Sequence, residues 1–219
     1  MSAKVSAPGP AGATAGLRLG GAGIAALFLV GAVGGLIGDM CHVESGTTTY
    51  LEDPFPYVWK SQLWFPLMVG GGTAALGWIR VRMAAGEQAA GGGEPEGLRE
   101  GVAMIAAVVA LYALTALVRG EPQPAAVVVC WAVAALIVAR WAQGPGELVC
   151  ALLAAVFGVG SEIILAAAGV FEYADDIARF AGVASWLPAL YLAYGVVAAR
   201  LGLIAARLSV RPRAPRARR

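Results

Sequence analysis

Six long apolar runs set the strongest limit on what this chain of 219 residues folds into. The runs cover approximately residues 19–38, 62–79, 101–118, 124–139, 148–170 and 183–206. About 20 apolar residues in a helix cross the roughly 30 Å hydrocarbon layer of a bilayer, because an α-helix rises about 1.5 Å per residue. Charged residues make up 14% of the chain, against about 25% in soluble proteins. The sequence therefore predicts an all-α, polytopic integral membrane protein with six transmembrane helices.

The distribution of lysine and arginine predicts how these spans are oriented. An even number of spans places both termini on the same side of the membrane. Of the 16 lysines and arginines, the opposite side receives only Lys60, Arg119 and Arg179. Because cytoplasmic segments are enriched in positive charge, both termini are predicted to be cytoplasmic in a multi-pass protein of the cell membrane. Without the fourth and shortest run, the arginine-rich C-terminus would lie outside, so the charge pattern supports that run as a span.

Three regions follow from this pattern. Residues 1–18 are predicted to be a disordered cytoplasmic tail, residues 19–207 the six-helix membrane domain, and residues 208–219 a basic cytoplasmic tail. The tail arginines suit anionic lipid headgroups of the bilayer, whereas the net charge of +2 gives no indication of nucleic-acid binding. The Gly- and Glu-rich segment 84–98 is predicted to be a flexible linker. The excess of arginine over lysine is typical of a GC-rich bacterial genome.

The first outer loop, residues 39–61, carries two distinct patterns. Its acidic start, from Asp39 to Glu44, includes the one histidine of the chain. Zinc binds such side chains, but one histidine in a loop is a weak pattern, so a solvated acidic loop is predicted, with no metal and no cofactor. The following aromatic and proline-containing stretch is predicted to lie at the membrane interface, with Tyr57 and Trp59 as anchors.

Glu162 lies inside the fifth apolar run, where an ionisable side chain costs about 2.5–3.5 kcal/mol on insertion scales. Steps of three or four residues from it reach small residues, namely Ala151, Ala155, Gly158, Ala166 and Gly169. These positions share one helix face, so Glu162 is predicted to face protein or a cavity rather than lipid. No basic residue is expected in any other span, so Glu162 is predicted to be an isolated, neutral carboxyl group that both donates and accepts hydrogen bonds.

Three roles for Glu162 stay open at this point. The carboxyl group could bond to a backbone carbonyl or a hydroxyl and support helix packing. It could meet the polar end of a neutral lipid alcohol, because a hydroxyl complements an acid whereas a phosphate does not. It could carry protons or ions in a small transporter, although transporters generally need several intramembrane polar groups in a relay.

Two spans carry a Trp-x-Pro sequence near the outer membrane surface, at Trp64–Pro66 and Trp186–Pro188. Proline inside a helix removes a backbone donor and clashes with the preceding turn, so two kinked helices with a cleft beside them are predicted. The alternative is that these prolines are merely structural. Tyr191 and Tyr194, together with Trp186, either line the cleft or belong to an interfacial aromatic belt.

Small residues also recur in the first span, where the glycines at positions 31, 34, 35 and 38 form two overlapping G-x-x-x-G pairs. This spacing lets helix backbones approach closely. Small-residue faces left at the periphery would also allow a homo-oligomer.

Several of these segments resemble the Insig (insulin-induced gene) family. The matching segments are Trp64-x-Pro66 with Gly72–Ala75, Gly169–Tyr173 and Ser185–Pro188. Members of that family are six-span proteins of the endoplasmic reticulum with both termini cytoplasmic, and animal members bind oxysterols and retain sterol-sensing partners. The resemblance therefore implies a lipid-binding protein that is not an enzyme. The loop Arg119–Pro122 departs from the animal pattern associated with partner contact, so the lipid pocket is the feature expected here.

These observations predict a non-catalytic lipid-sensing or regulatory protein. It would bind a neutral lipid alcohol, sterol-like or a glycerolipid resembling diacylglycerol, in a central cleft between spans one to three, five and six. The alternative function is a small proton- or ion-coupled transporter that uses Glu162. The residues predicted to line the cleft are Glu162, Gly158, Ala166, Gly169, Trp64, Pro66, Trp186, Pro188, Tyr191 and Tyr194.

Overall fold

The computed structural model describes residues 17–51, 55–87 and 97–209. Its six α-helices are α1 (Gly21–Ser45), α2 (Trp64–Glu87), α3 (Leu98–Leu117), α4 (Gln123–Trp141), α5 (Pro145–Ala167) and α6 (Leu187–Ser209). The connections contain the strands β1 (Thr48–Tyr50), β2 (Tyr57–Val58), β3 (Ser61–Gln62) and β4 (Phe171–Tyr173), and a 3-10 turn at Val118–Gly120. Each predicted apolar run corresponds to one helix, in the same order.

Five helices are long and apolar enough to cross a membrane: α1, α4, α5, α6, and α3 with the 3-10 turn that follows it. Helix α2 is of similar length, 24 residues, but contains Arg80 and Arg82 in its second half. The mostly helical fold of a membrane protein is thus confirmed, whereas six spans and cytoplasmic termini stay predictions. The predicted tails and the linker at 84–98 fall largely outside the described residues. Where they are described, the predictions of a disordered tail and a flexible linker are wrong for Leu208 and Ser209, which belong to α6, for residues 84–87, which belong to α2, and for Leu98, which begins α3.

Helix α6 is the centre of the bundle. It packs against each of the other five helices. Of its most apolar 18 residues, 78% are buried, against 28% for each of α1, α3, α4 and α5. The other helices therefore turn much of their apolar surface outward, as helices in a lipid environment do.

Two pairs of helices approach at glycines. A Cβ atom on Gly202 of α6 would overlap the Cα atom of Gly77 in α2, so their backbones touch at this crossing. Helix α1 approaches α2 in the same way, because a Cβ atom on Gly35 would lie only 2.8 Å from Cβ of Val69. The close approach expected from the glycine spacing of the first span is confirmed.

One end of the bundle is closed by an antiparallel pair of strands, which we call the ribbon. Strands β1 and β4 pair so that Thr48 lies opposite Tyr173 and Tyr50 lies opposite Phe171. The ribbon therefore joins the segment after α1 to the segment after α5. We call this end of the bundle the ribbon end, and the opposite end, which contains Arg80 and Arg200, the arginine end.

Helix α1 is longer than the sequence indicates, and the prediction of a solvated acidic loop from Asp39 to Glu44 is wrong. The helix continues to Ser45 and ends at Gly46, whose φ of 68° gives the left-handed conformation that stops helices. Asp39 and His42 are only 4% and 2% exposed. Polar side chains continue this helix because they find hydrogen-bond partners inside the bundle.

The predicted proline kinks are also wrong. Pro66 is the third residue of α2 and Pro188 the second residue of α6. In the first turn of a helix the missing N–H has no intrahelical partner to lose, so a proline there begins the helix without bending it. Near this end, the β2–β3 hairpin leaves Tyr57 and Trp59 exposed, a position that accords with the predicted interfacial anchors.

We expect Gly202→Ala to lower stability by about 1–3 kcal/mol, because the added methyl group forces α2 and α6 apart. Thermal unfolding of the detergent-solubilised protein measures this change. Gly71→Ala is the matched control, since a Cβ atom at Gly71 meets no atom within 4 Å. That variant should be as stable as the wild type or slightly more stable. Equal stability of Gly202→Ala and the wild type would contradict the packing described.

Candidate functional site

A cavity of about 500 Å³ lies inside the bundle, and its walls are almost entirely apolar. Helices α1, α2, α3, α5 and α6 line it, and none of its lining residues comes from α4. This is the set of helices around which the sequence predicts a cleft. Its size falls in the usual range for small-molecule sites, about 300–1,000 Å³. We call it the central cavity.

The carboxyl group of Glu162 borders the central cavity close to the ribbon end, in the last two turns of α5 rather than midway along it. The Tyr191 hydroxyl donates a hydrogen bond of 2.6 Å to Oε1, and the Tyr173 hydroxyl donates to Oε2. Gly158 makes the first contact possible, because a Cβ atom there would overlap the Tyr191 ring. The inward orientation predicted for Glu162 is confirmed, and the small residue beside it accommodates a hydrogen-bonding tyrosine.

The sequence did not predict the contact between Tyr173 and Glu162, because Tyr173 lies between the fifth and sixth apolar runs and was noted only for the family resemblance. Strand β4 instead brings it under the bundle end, where it is buried. Burial, followed by the negative charge of Glu162, raises the pKa of the Tyr173 hydroxyl well above its ordinary value. This hydroxyl therefore remains a hydrogen-bond donor to Glu162 across the physiological pH range.

The expectation that Glu162 is isolated is wrong, because Asp39 faces the same small polar space. This second cavity has a volume of about 10 Å³, the size of one water molecule. We call it the polar chamber. Tyr50 donates a hydrogen bond of 2.6 Å to Asp39 Oδ2. Three residues border both the polar chamber and the central cavity: Phe65, Tyr112 and Glu162.

A second polar position lies further along the central cavity. The Tyr194 hydroxyl donates to the Val69 carbonyl oxygen at 3.0 Å and lies 2.9 Å from Thr73 Oγ1. Thr73 also donates to the same carbonyl at 2.9 Å. These groups, Ser161, Glu162 and the other tyrosine hydroxyls are the polar exceptions in a lining otherwise made of apolar side chains and glycine.

At the arginine end, sequence reasoning missed a buried ion cluster. Arg80 Nε of α2 donates to Glu147 Oε1 at 2.9 Å, and Arg200 Nη1 of α6 approaches the same oxygen at 3.3 Å. All three side chains are buried. The expectation that no other span contains a basic residue is therefore wrong for Arg200, which lies inside the sixth apolar run, although its partner is Glu147 and not Glu162. An arginine within such a run is a signal that could have revealed the cluster.

We expect Glu147→Gln to destabilise the protein by about 3–5 kcal/mol, because it leaves two buried guanidinium groups without the carboxylate they share. Glu44→Gln is the matched control, since the Glu44–Lys60 ion pair is exposed and should contribute at most about 1 kcal/mol. Thermal unfolding in detergent compares the two variants. An equal loss of stability in the two variants would show that the buried cluster contributes no more than the exposed ion pair.

The structure brings together four of the residues predicted to line the cleft. Glu162, Gly158, Tyr191 and Tyr194 border the central cavity. Six others lie outside its lining: Ala166, Gly169, Trp64, Pro66, Trp186 and Pro188.

Local structure explains several of these positions. Trp186 is buried against the edges of His42 and Tyr173. Trp64 donates its indole N–H to Gln62 Oε1 at 2.7 Å. Gly169 forms the turn after α5, with a φ of 74°. Within the described ranges, no group of three or more His, Cys, Asp or Glu side chains is placed to hold a metal ion.

Comparison with known proteins gives two kinds of match, although no protein-family model matches the chain. An INSIG protein homolog from Mycolicibacterium vanbaalenii is 43% identical over 180 residues, which cover 82% of this chain and 84% of that protein. The crystal structure of a mycobacterial Insig homolog from Mycobacterium vanbaalenii has a TM-score of 0.79 and 38% identity, covering 90% of this chain and 100% of the other. A second crystal structure, of a cross-linked trimer of an arginine-to-cysteine variant of that Insig homolog, has the same TM-score and 37% identity.

Proposed function

This chain belongs to the Insig family, and we propose that it binds one neutral lipid alcohol in the central cavity as a non-catalytic sensor or regulator. The observation that carries this proposal is a large apolar cavity with a hydrogen-bonded carboxyl group at one end. Apolar walls favour acyl chains or a ring system, because burying apolar surface contributes about 25 cal/mol per Å². The carboxyl group supplies a polar contact for a hydroxyl.

Charge narrows the class of lipid. Glu162 and Asp39 are both acidic, and in the described part of the chain neither has an arginine or lysine among its hydrogen-bond partners. A phosphate headgroup would place a further negative charge next to these carboxyl groups, which costs free energy in a low-dielectric site. A sterol-like alcohol or a diacylglycerol-like glycerolipid has no such charge. Tyr194 and Thr73 offer such a lipid further polar contacts.

The orientation in the cell membrane is part of the proposal. With six spans and cytoplasmic termini, the arginine end lies at the cytoplasmic surface, together with Arg82 and Arg140. The ribbon end then lies outside with Lys60, Arg119 and Arg179. This arrangement agrees with the positive-inside rule. Helix α2 counts as a span because it packs along both α1 and α6.

Regulation would work through differential affinity for two conformations. A lipid in the central cavity contacts five helices, so it stabilises the arrangement of helices that fits it. A relative of this chain has been captured as a cross-linked trimer, and we extend a homo-oligomeric state to this protein.

We expect the purified protein to carry a selected neutral lipid, detected by organic extraction and lipid mass spectrometry. Gly34→Leu should reduce that lipid several-fold, because position 34 borders the central cavity and the new side chain fills it. Val33→Leu is the matched control on the same helix, since Val33 is exposed on the outer surface. The proposal would be contradicted if the protein carried bulk membrane lipids in unselective proportion. It would also be contradicted if both variants retained equal amounts of the lipid.

The alternative function, proton- or ion-coupled transport, makes a different prediction. Reconstituted vesicles should then show a flux that Glu162→Gln abolishes. Under lipid binding, the same variant should retain its lipid, because an amide also donates and accepts hydrogen bonds. The apolar lining between Glu162 and the arginine end favours lipid binding over a polar relay.

A further inference from the structure

The polar chamber contains a second acidic side chain, Asp39, whose presence beside Glu162 is not explained by lipid contact at Glu162 alone. It lies beside the central cavity at the ribbon end, and elements from across the bundle contribute to it. The side chains that border it are Asp39 and His42 of α1, Thr48 and Tyr50 of β1, Phe65 of α2, Tyr112 of α3, Glu162 of α5, and Phe171 and Tyr173 of β4. Two acidic groups from different helices thus face one water-sized space.

The hydrogen bonds around the two carboxyl groups come from neutral hydroxyls. Tyr50 donates to Asp39, and Tyr173 and Tyr191 donate to Glu162. Burial and then the neighbouring Asp39 charge raise the pKa of the Tyr50 hydroxyl, so this tyrosine stays a donor. Tyrosine donors stabilise one carboxylate each, but they do not cancel the repulsion between two negative charges in one buried space.

The basic group that borders this space is His42, and its Nε2 bonds to a residue outside the chamber. Its Nε2 lies 2.7 Å from Thr115 Oγ1, and Thr115 donates its own hydrogen to the Tyr112 carbonyl at 2.6 Å. Thr115 therefore accepts a hydrogen from Nε2. The ring is buried between the edges of Tyr112 and Trp186, surroundings that favour the neutral imidazole.

We propose that Asp39 and Glu162 share one proton across the polar chamber, and that lipid binding in the central cavity favours the protonated form of this pair. The inference rests on the proposed lipid-binding function. Asp39 acts as a positioning residue through its charge, because it makes full ionisation of the pair unfavourable. The water-sized volume of the chamber suits a single water that bridges the two groups.

The direction of the pH dependence follows from desolvation. A lipid against Glu162 excludes water from that end of the central cavity, and loss of water penalises the doubly ionised pair most. The protonated pair therefore binds lipid more tightly. Binding should be strongest at low pH and should weaken as the pH rises through the range in which the lipid-free pair loses its proton.

The test measures the affinity of detergent-solubilised protein for two probes, dioleoylglycerol and cholesterol, across a pH series. For the probe that binds, the wild-type affinity should fall by up to about tenfold per pH unit, the slope for one proton. Asp39→Asn should move this fall to lower pH, because Glu162 then ionises more easily. Glu162→Gln should bind at every pH with a flat profile. Glu172→Gln, an exposed acid on the ribbon, should behave as the wild type.

If the wild-type affinity does not change with pH, or if Asp39→Asn has the same pH dependence as the wild type, the coupling between lipid binding and the shared proton is wrong. Lipid binding itself would still stand. Failure of both probes at every pH would overturn the proposed function and the linkage with it. Infrared spectroscopy tests the shared proton without any lipid. The wild type should show the C=O stretch of a protonated carboxyl group near neutral pH, and Glu162→Gln should lose it; its absence from the wild type would refute the shared proton.

Discussion

The buried cluster of Arg80, Glu147 and Arg200 is the interaction on which the arrangement of the bundle depends. It ties α2, α5 and α6 together at one end, and each of these helices lines the central cavity. Charges withdrawn from water are stable only with their partners in place, so the three helices have little freedom to separate there. At the ribbon end the buried carboxyl groups of Asp39 and Glu162 are held by hydrogen bonds from neutral tyrosine hydroxyls. On the proposed function, adjustment of the cavity to a lipid would therefore fall mainly on the ribbon end.

The helices could be predicted because their cause is local. Apolar runs of sufficient length form helices in a membrane, since no other open structure satisfies the backbone there. The inward orientation of Glu162 could also be predicted, because helical periodicity alone places it on the same face as small residues. The same holds for the close approach of α1 to α2 at Gly35.

What could not be predicted depends on partners distant in the sequence. Asp39 and His42 continue α1 because they form hydrogen bonds with Tyr50 and Thr115. No local sequence pattern predicts those contacts. Hydropathy alone placed both residues in a loop. The predicted runs begin two residues before α2 and four residues before α6, and this difference decides whether each proline lies inside a helix or in its first turn. Tyr173 reaches Glu162 only through the pairing of β1 with β4, which joins segments more than a hundred residues apart.

The ribbon also makes a mechanical connection. Tyr50 on β1 holds Asp39 of α1, and Tyr173 on β4 holds Glu162 of α5, while the two strands are paired with each other. These bonds form a continuous series of contacts from α1 through the two paired strands to α5. If a lipid binds as proposed and displaces α5, the ribbon must shift or one of these hydrogen bonds must break. On the proposed function, occupancy of a cavity between the helices would thereby change the surface of the protein at the ribbon, where another molecule could detect it.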